Sequence, residues 1–360
     1  MSISLNYDIK KTEIEILEKI NRCSSDKLNV IYSDQKTKLI YQDNFQAMSI
    51  LLKTYNNKID LVYIDPPFNT GQDFFYSNSR TSSISNSETD KLAYSDIFEL
   101  DDYLEFIRER LFLIHKLLSD KGTLYLHIDI KMGHYIKIIL DEIFGKDNFL
   151  NEITRIKSNP KNFKRKAYGN IKDTIYVYAK KKCMQIFNDI SIKLSDEELL
   201  KKFPKIDKNG ERYTTVPCHA PGETLNGNTG KKWRGLLPPK GRHWRSSPDE
   251  LEMLDKTGLI EWSKTNNPRI KKYAKDHKGK KIQDIWGNFK DPQYPKYPTE
   301  KNLEMLELIV KQSSNENSII MDCFCGSGSF LIAGLKNNRN VIGIDISEQS
   351  MKISKQNIIK

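Results

Sequence analysis

No stretch of this chain approaches the run of about 18 apolar residues that a membrane-spanning helix needs. Its first residues, MSISLNYDIKK, hold no continuous apolar segment of the kind a secretion signal carries. Neither membrane insertion nor secretion is expected, which leaves a cytoplasmic setting. Cysteine is scarce, with five in 360 residues at positions 23, 183, 218, 323 and 325 and no CxxC pair. An odd, dispersed set excludes a disulfide framework and fits reduced thiols. His127-x-Asp129 with His134, and the pair Cys218-His219, lack the partner spacing of a metal site, so no metal is expected. Internal repeats are missing as well. Acidic residues are short in the middle of the chain, where residues 151–290 carry 32 Lys+Arg against 16 Asp+Glu. That excess of +16 exceeds the net +11 of the whole chain, so the remainder sums to −5. The basic charge therefore belongs to one region, and a polyanion partner is expected there.

What is present is an alternation of short apolar runs and helical patterns. Residues 8–22 put Ile14, Leu17 and Ile20 on one face, which predicts a peripheral amphipathic helix. KLIYQDN reads as a strand ending near Asp43, then a helix, then the strand LVYI closed by Asp65. Residues 77–100 are rich in Ser and Asn and aperiodic, which predicts a mobile loop. A long helix, the strand TLYLHID and the helix HYIKIILDEIF follow. DTIYVYAKK is expected to return to the sheet, and SIIMD and NVIGID are strands near the far end. Such β-α-β units imply an α/β fold with a doubly wound, Rossmann-like sheet. From about 155 to 285 the alternation fails, and basic residues are interleaved with aromatics and turn formers. Lys161, Lys164, Arg165, Lys166, Arg234, Arg242 and Arg245 are the candidate polyanion contacts in this irregular inserted subdomain.

Two turns carry chemistry. In LVYIDPPFNTG a buried strand ends in Asp65-Pro66-Pro67-Phe68. Prolines donate no N–H and stiffen the chain, so the loop offers carbonyls and a carboxylate as acceptors beside the flat face of Phe68. A planar group bearing an amine suits it. In MDCFCGSGSF, Asp322, Gly326 and Gly328 end a strand and open a helix, where a ligand can approach the backbone. A P-loop would need a Lys after the glycines, and a dinucleotide fingerprint would need glycine where Leu331 stands. What remains is a carboxylate, a GxG turn, and Asp345 twenty-three residues later at the end of the next strand. Asp345 suits paired ribose hydroxyls and Asp322 an ammonium, which together describe S-adenosylmethionine. Cys323 and Cys325 read as small packing residues.

DPPFNTG together with DCFCGSG resembles the DNA amino-methyltransferases, whose catalytic motif is (D/N/S)PP(Y/F/W) and whose cofactor motif is DxFxGxG. The catalytic motif comes first and the cofactor motif last, as in the β class. The resemblance implies transfer of a methyl group from S-adenosylmethionine to the N6 of an adenine flipped out of double-stranded DNA. Cytosine N4 is the alternative, and an aspartate before the prolines favours adenine. It further implies that Asp65, Pro66, Pro67 and Phe68 are catalytic and that Phe324 lies in the cofactor site. YPTEKNLEMLELI is similar to the family's YPTQKP segment, which carries cofactor contacts to Thr299 and Lys301, although Asn302 stands where the family has proline. The chain stops one helix after Asp345, so the adenine-side acid is expected from the N-terminal strand as Asp43. That makes the fold circularly permuted. The implied organisation is a helical extension at 1–30, a catalytic half at 31–155, a target-recognition region at 156–285 and a cofactor half at 286–360. A cognate restriction endonuclease and a homodimer remain open as partners. The rivals are a protein side-chain amide methyltransferase and a non-catalytic DNA-binding protein.

Overall fold

The computed structural model describes residues 4–68, 72–76, 81–82, 91–96, 98–157, 166–224, 226–290 and 301–359. The chain divides into two units, Met1–Ile190 with Gln283–Lys360, and Ser191–Ile282. In the first unit nine strands form one sheet. Numbered along the chain they are β1 Val30–Ser33, β2 Thr37–Tyr41, β3 Ile59–Ile64, β4 Leu118–Ile128 and β5 Phe149–Ile156, followed by β6 Lys172–Ala179, β7 Ile285–Trp286, β8 Ile319–Asp322 and β9 Asn340–Asp345. Their spatial order is β1-β2-β9-β8-β3-β4-β6-β5-β7. The run from β2 to β4 is parallel throughout, and β6 then enters antiparallel to both β4 and β5.

Parallel strands buried on both faces must be apolar at nearly every position. The sequence of β3 meets that demand, and alternate residues go to opposite sides. Val62 and Ile64 join the core against α1 (Glu13–Ser24), α2 (Asn44–Tyr55), α3 (Leu100–Leu117) and α4 (Ile130–Phe144). Tyr63 points the other way and stacks on Phe330 of α6 (Ser329–Lys336), with ring centroids 5.3 Å apart. α5 (Leu303–Ser313) and α7 (Glu348–Ile359) lie with α6. Each fully buried aliphatic side chain in these layers contributes about 1.5–3 kcal/mol.

Sequence-based expectations meet this frame unevenly. The N-terminal strand β2 does lie beside the last strand, in parallel register with Tyr41 opposite Asp345. The first helix forms, but Ile16 and Ile20 are its buried face and Ile14 is 69% exposed, so the expected stripe through Ile14 and Leu17 is corrected. The aperiodic stretch 77–100 is not simply a loop either. Lys91–Asp96 pairs antiparallel with Gln72–Tyr76, which also pairs with Thr81–Ser82. Asn302 caps α5: its side chain accepts from Met305 N at 3.0 Å. Asparagine is a preferred N-cap residue, worth about 1 kcal/mol over alanine.

The second unit holds an antiparallel sheet, Lys205–Ile206, Arg212–Pro217, Pro268–Tyr273 and Ile260–Trp262 in that lateral order, with a separate antiparallel pair, His219–Pro221 and Arg242–Trp244. Its core is Trp233, Trp244, Leu251, Ile260, Ile270 and Cys218.

The close fit of β2 on β9 is testable. A Cβ on Gly343 would lie 2.3 Å from Leu331 Cδ1 and 3.0 Å from Leu39 Cδ2, so Leu39 fills a slot that has little freedom to collapse. Leu39→Ala should lower the unfolding free energy by about 2–5 kcal/mol in urea titrations. A loss below about 1 kcal/mol would show that this junction is not tightly packed.

Candidate active site

β3 delivers Asp65 at the carboxyl edge of the sheet, and the two prolines after it prevent the strand from continuing. The Tyr103 hydroxyl of α3 donates to the Pro67 carbonyl at 2.6 Å and pins the loop. Phe68 packs at the margin of the core, its ring centroid 6.0 Å from that of His127. Asp65 is only partly satisfied. Its Oδ2 meets Lys301 Nζ at 2.9 Å, while its Oδ1 is buried and accepts no hydrogen bond from the described residues. The Lys301 ammonium also lies 5.3 Å from the centroid of the Phe68 ring. A positively charged nitrogen is thus seated on the carboxylate and beside the aromatic face, a strong pairing in a partly desolvated site.

The glycine turn lies at the ends of β8 and β9. Gly326 and Gly328 have φ of +50° and +82°, and a Cβ at Gly328 would fall 2.3 Å from Ser354 Oγ. Asp345 organises the turn, accepting from Gly326 N at 2.9 Å and Ser347 N at 2.8 Å. Burial still raises its carboxyl above the usual range. Asp322 is buried and accepts from Phe324 N at 2.9 Å. Burial first, and then the nearby charges of Asp65 and Asp345, push its carboxyl well above the usual carboxylate value. Phe324 is half-buried and edges onto Phe106, at 6.1 Å between centroids.

Asp43 reaches the same edge from β2. One oxygen caps α2 through Gln46 N at 3.0 Å, and the other accepts from Arg110 NH2 at 2.9 Å. Arg110 is buried, lies 3.5 Å over the Phe106 ring and also donates to Asn44, whose amide holds the Cys323 carbonyl. Sequence reasoning missed Arg110 and Tyr103. An arginine among the apolar positions of α3 was the available signal for the first, though Arg108 in the same helix is buried as well; nothing in the local pattern marks the second.

The structure therefore brings together Asp65, Pro66, Pro67, Phe68, Lys301, Asp322, Phe324, Gly326, Gly328, Asp345 and Asp43 in one unit. Thr299, Lys161, Lys164 and Arg165 lie outside the described residues. Lys166, Arg242 and Arg245 are exposed. Arg234 is engaged within the second unit: its guanidinium forks onto Glu252 at 2.8 and 2.9 Å and also pairs with Asp255. Among the described residues no three His, Cys, Asp or Glu side chains converge as a metal site, and no helix is long and apolar enough to cross a membrane.

A parallel run of strands whose ends carry a glycine turn, three acids and an Asp-Pro-Pro loop suits a nucleoside-cofactor group-transfer site. Residues 59–356 match the N6/N4 methyltransferase model, described as DNA methylase. The chain is 40% identical over 354 residues to the type II methyltransferase M.EcaI of Enterobacter cloacae, covering 96% of this chain and 75% of that protein. It is 25% identical over 362 residues to the type II methyltransferase M.KpnI of Klebsiella pneumoniae, covering 90% and 79%. With the type III StyLTI Mod subunit of Salmonella typhimurium it shares 26% identity over 334 residues, 80% of this chain but 48% of that one. Among solved structures, M1.HpyAVI aligns at 16% identity and TM-score 0.46 over 89% of this chain and 98% of its own. The chain belongs to the N6/N4 DNA methylase family.

S-adenosylmethionine is the methyl donor of this family. The residues present fit it, because Asp322 is a buried carboxyl with no cationic partner among the described residues and the left-handed glycines leave room at the backbone. When bound, the cofactor supplies an electrophilic methyl group; Asp322 would hold its ammonium, Asp345 its ribose, and Asp43 with Arg110 would border the adenine. The raised carboxyl of Asp322 gives a signed prediction. An ammonium needs the ionised form, so below this raised pKa binding must first remove a proton, and affinity falls up to about tenfold per pH unit. Calorimetry should show cofactor affinity rising with pH and then levelling, whereas Asp322→Asn should bind weakly with a flatter profile. An unchanged profile in Asp322→Asn would remove Asp322 from the ammonium site.

Proposed function

We propose that this chain is a site-specific DNA adenine-N6 methyltransferase that acts on an adenine flipped from double-stranded DNA, in a restriction-modification setting like that of its relatives. The observation that carries the reading is the Lys301 ammonium on Asp65 and against Phe68. A site that accepts a lysine nitrogen there also accepts an exocyclic amine whose nitrogen becomes positive as it attacks. The base stacks on Phe68, and Asp65 with the Pro66 carbonyl orients the amine lone pair toward the methyl group. Asp65 then stabilises the transition state more than the ground state, since charge develops only during attack. Aspartate rather than serine before the prolines favours adenine over cytosine.

DNA contact is assigned to the basic insertion. Its exposed cations include Lys166, Arg242 and Arg245, with Lys161, Lys164 and Arg165 alongside in sequence. Arg234 is a weaker candidate, because Glu252 and Asp255 already balance its charge. A cognate restriction endonuclease and a second copy of the chain are the remaining partners to test.

Expression in a methylation-free host followed by sequencing for modified bases tests the reading directly: N6-methyladenine at one motif is expected, and N4-methylcytosine would reassign the base. Asp65→Ala should keep cofactor affinity and lose at least about 10²–10³-fold in methyl transfer. Near-wild-type turnover in that variant would end the mechanism. For the insertion, DNA affinity should fall steeply with salt, and each phosphate contact removed should lower the log–log slope by about 0.9. An unaltered slope after charge reversal at Lys161, Lys164, Arg165 and Lys166 in a folded protein would withdraw that segment from DNA binding.

A further inference from the structure

Beneath the Asp65 loop lies a row of buried polar groups that the mechanism so far leaves without a task. His127, near the end of β4, is fully buried. Its Nε2 is 3.3 Å from Asp173 Oδ2 on β6, and its Nδ1 is 3.0 Å from the Tyr63 hydroxyl on β3. The same Nδ1 is 3.9 Å from Asp65 Oδ1, the oxygen that no described donor satisfies. Asp173 is buried as well, and Lys157 Nζ at 2.7 Å and Arg155 NH1 at 3.8 Å face it. Burial opposes its ionisation, but the hydrogen bonds from His127 and Lys157 and the Lys157 charge outweigh that and hold the carboxyl well below the usual range.

An ionised Asp173 can only accept. The ring proton of a neutral His127 therefore sits on Nε2 and is donated to Asp173, which leaves Nδ1 as the acceptor. Nδ1 takes the Tyr63 hydroxyl on its one lone pair, and the bare Asp65 oxygen lies 3.9 Å away, just beyond hydrogen-bond reach. If the hydroxyl turns aside, two acceptors out of water are left with a place for one proton between them.

We propose that His127 is a positioning residue for Asp65, and that with Asp173 it holds the proton the target amine gives up. The inference rests on the reading that Asp65 receives that amine. Once the nitrogen has gained its methyl group it carries one hydrogen too many. Its N–H bond breaks, the electron pair stays on nitrogen, and the proton passes to Asp65 Oδ2, which the amine has taken over from Lys301; the carboxyl then turns and hands the proton to His127 Nδ1 as the Tyr63 hydroxyl swings away. The imidazolium then donates from both nitrogens, to Asp65 and to Asp173, and the proton leaves to water as the site reopens. Nothing is oxidised or reduced.

The charges around the ring fit this task. Burial lowers the basicity of His127 first and the Lys301 charge lowers it next, while Asp173 and Asp65 oppose both. The resting ring is thus neutral and able to accept. Replacing the Lys301 ammonium on Asp65 by a neutral base removes one of the two lowering effects at the moment a proton must be taken up.

A merely structural histidine, tying β3, β4 and β6 together, would affect stability and leave the pH dependence of the reaction alone. Single-turnover methyl transfer from labelled cofactor into duplex DNA, measured across pH, separates the two. In wild type the rate should climb with pH through the lowered His127 pKa and level off. His127→Asn and Asp173→Asn should be slower by about 10²-fold at the plateau, with the His127 limb gone and cofactor affinity kept. Unchanged rates, or slower rates with the wild-type pH profile, overturn the proposal. If neither variant folds, nitrogen-15 histidine spectra of wild type decide it: a neutral Nε2–H tautomer for His127 is expected, and an Nδ1–H tautomer overturns it. Absence of any methyl transfer by wild-type protein would defeat the Asp65 reading itself, whereas wild-type transfer with an unaltered profile in His127→Asn defeats the relay alone.

Discussion

A cluster of buried acids at the carboxyl edge of the sheet is the constraint on which the rest of the site depends. Asp65, Asp322 and Asp345 end three adjacent strands, β3, β8 and β9, and each loses water there. Burying a carboxylate without a partner is costly, so each acid must hold a proton, accept hydrogen bonds or meet a cation. The rise in the Asp322 carboxyl and the Lys301 contact to Asp65 are two expressions of one need. A methylation reaction brings positive charge on both reactants, on the donor before transfer and on the acceptor nitrogen after it. The fold supplies the matching negative field in advance.

That field exists because of strand order. β8 lies between β3 and β9, which puts the Asp-Pro-Pro loop and the glycine turn on one edge although the chain separates them by more than two hundred residues. β2 completes the edge with Asp43 from the other end of the chain. Arg110 keeps that acid in place from α3, and Asn44 at the start of α2 donates to the Cys323 carbonyl. The second unit has its own tryptophan-centred core and is not needed to build this edge.

Much of this was legible in the sequence because the informative residues obey short-range rules. Apolar runs closed by Asp65, Asp322 and Asp345 mark strand ends, and Gly326 and Gly328 occur where the backbone is left-handed. Ile16, by contrast, is buried and Ile14 is not, since helix 13–24 leans on α2 at an angle that periodicity alone does not specify. Lys91–Asp96 was hidden because its pairing with Gln72–Tyr76 is a contact between segments with no strong apolar alternation. Arg110, His127 and Asp173 act through partners on other elements, and no spacing rule joins residues 43 with 110 or 65 with 127 and 173. His127 could be placed at a strand end from the sequence, but its two faces became readable only with β3 and β6 beside it.

The central claim is that Asp65 is a seat for an amine, held by Lys301 until the target base replaces it. A structure of the protein with cofactor and its DNA site tests this most directly. The expected result has the exocyclic amine within about 3 Å of the Asp65 carboxylate, the base on the face of Phe68, and Lys301 moved away. A flipped base whose amine lies elsewhere, with Lys301 still paired to Asp65, would contradict it.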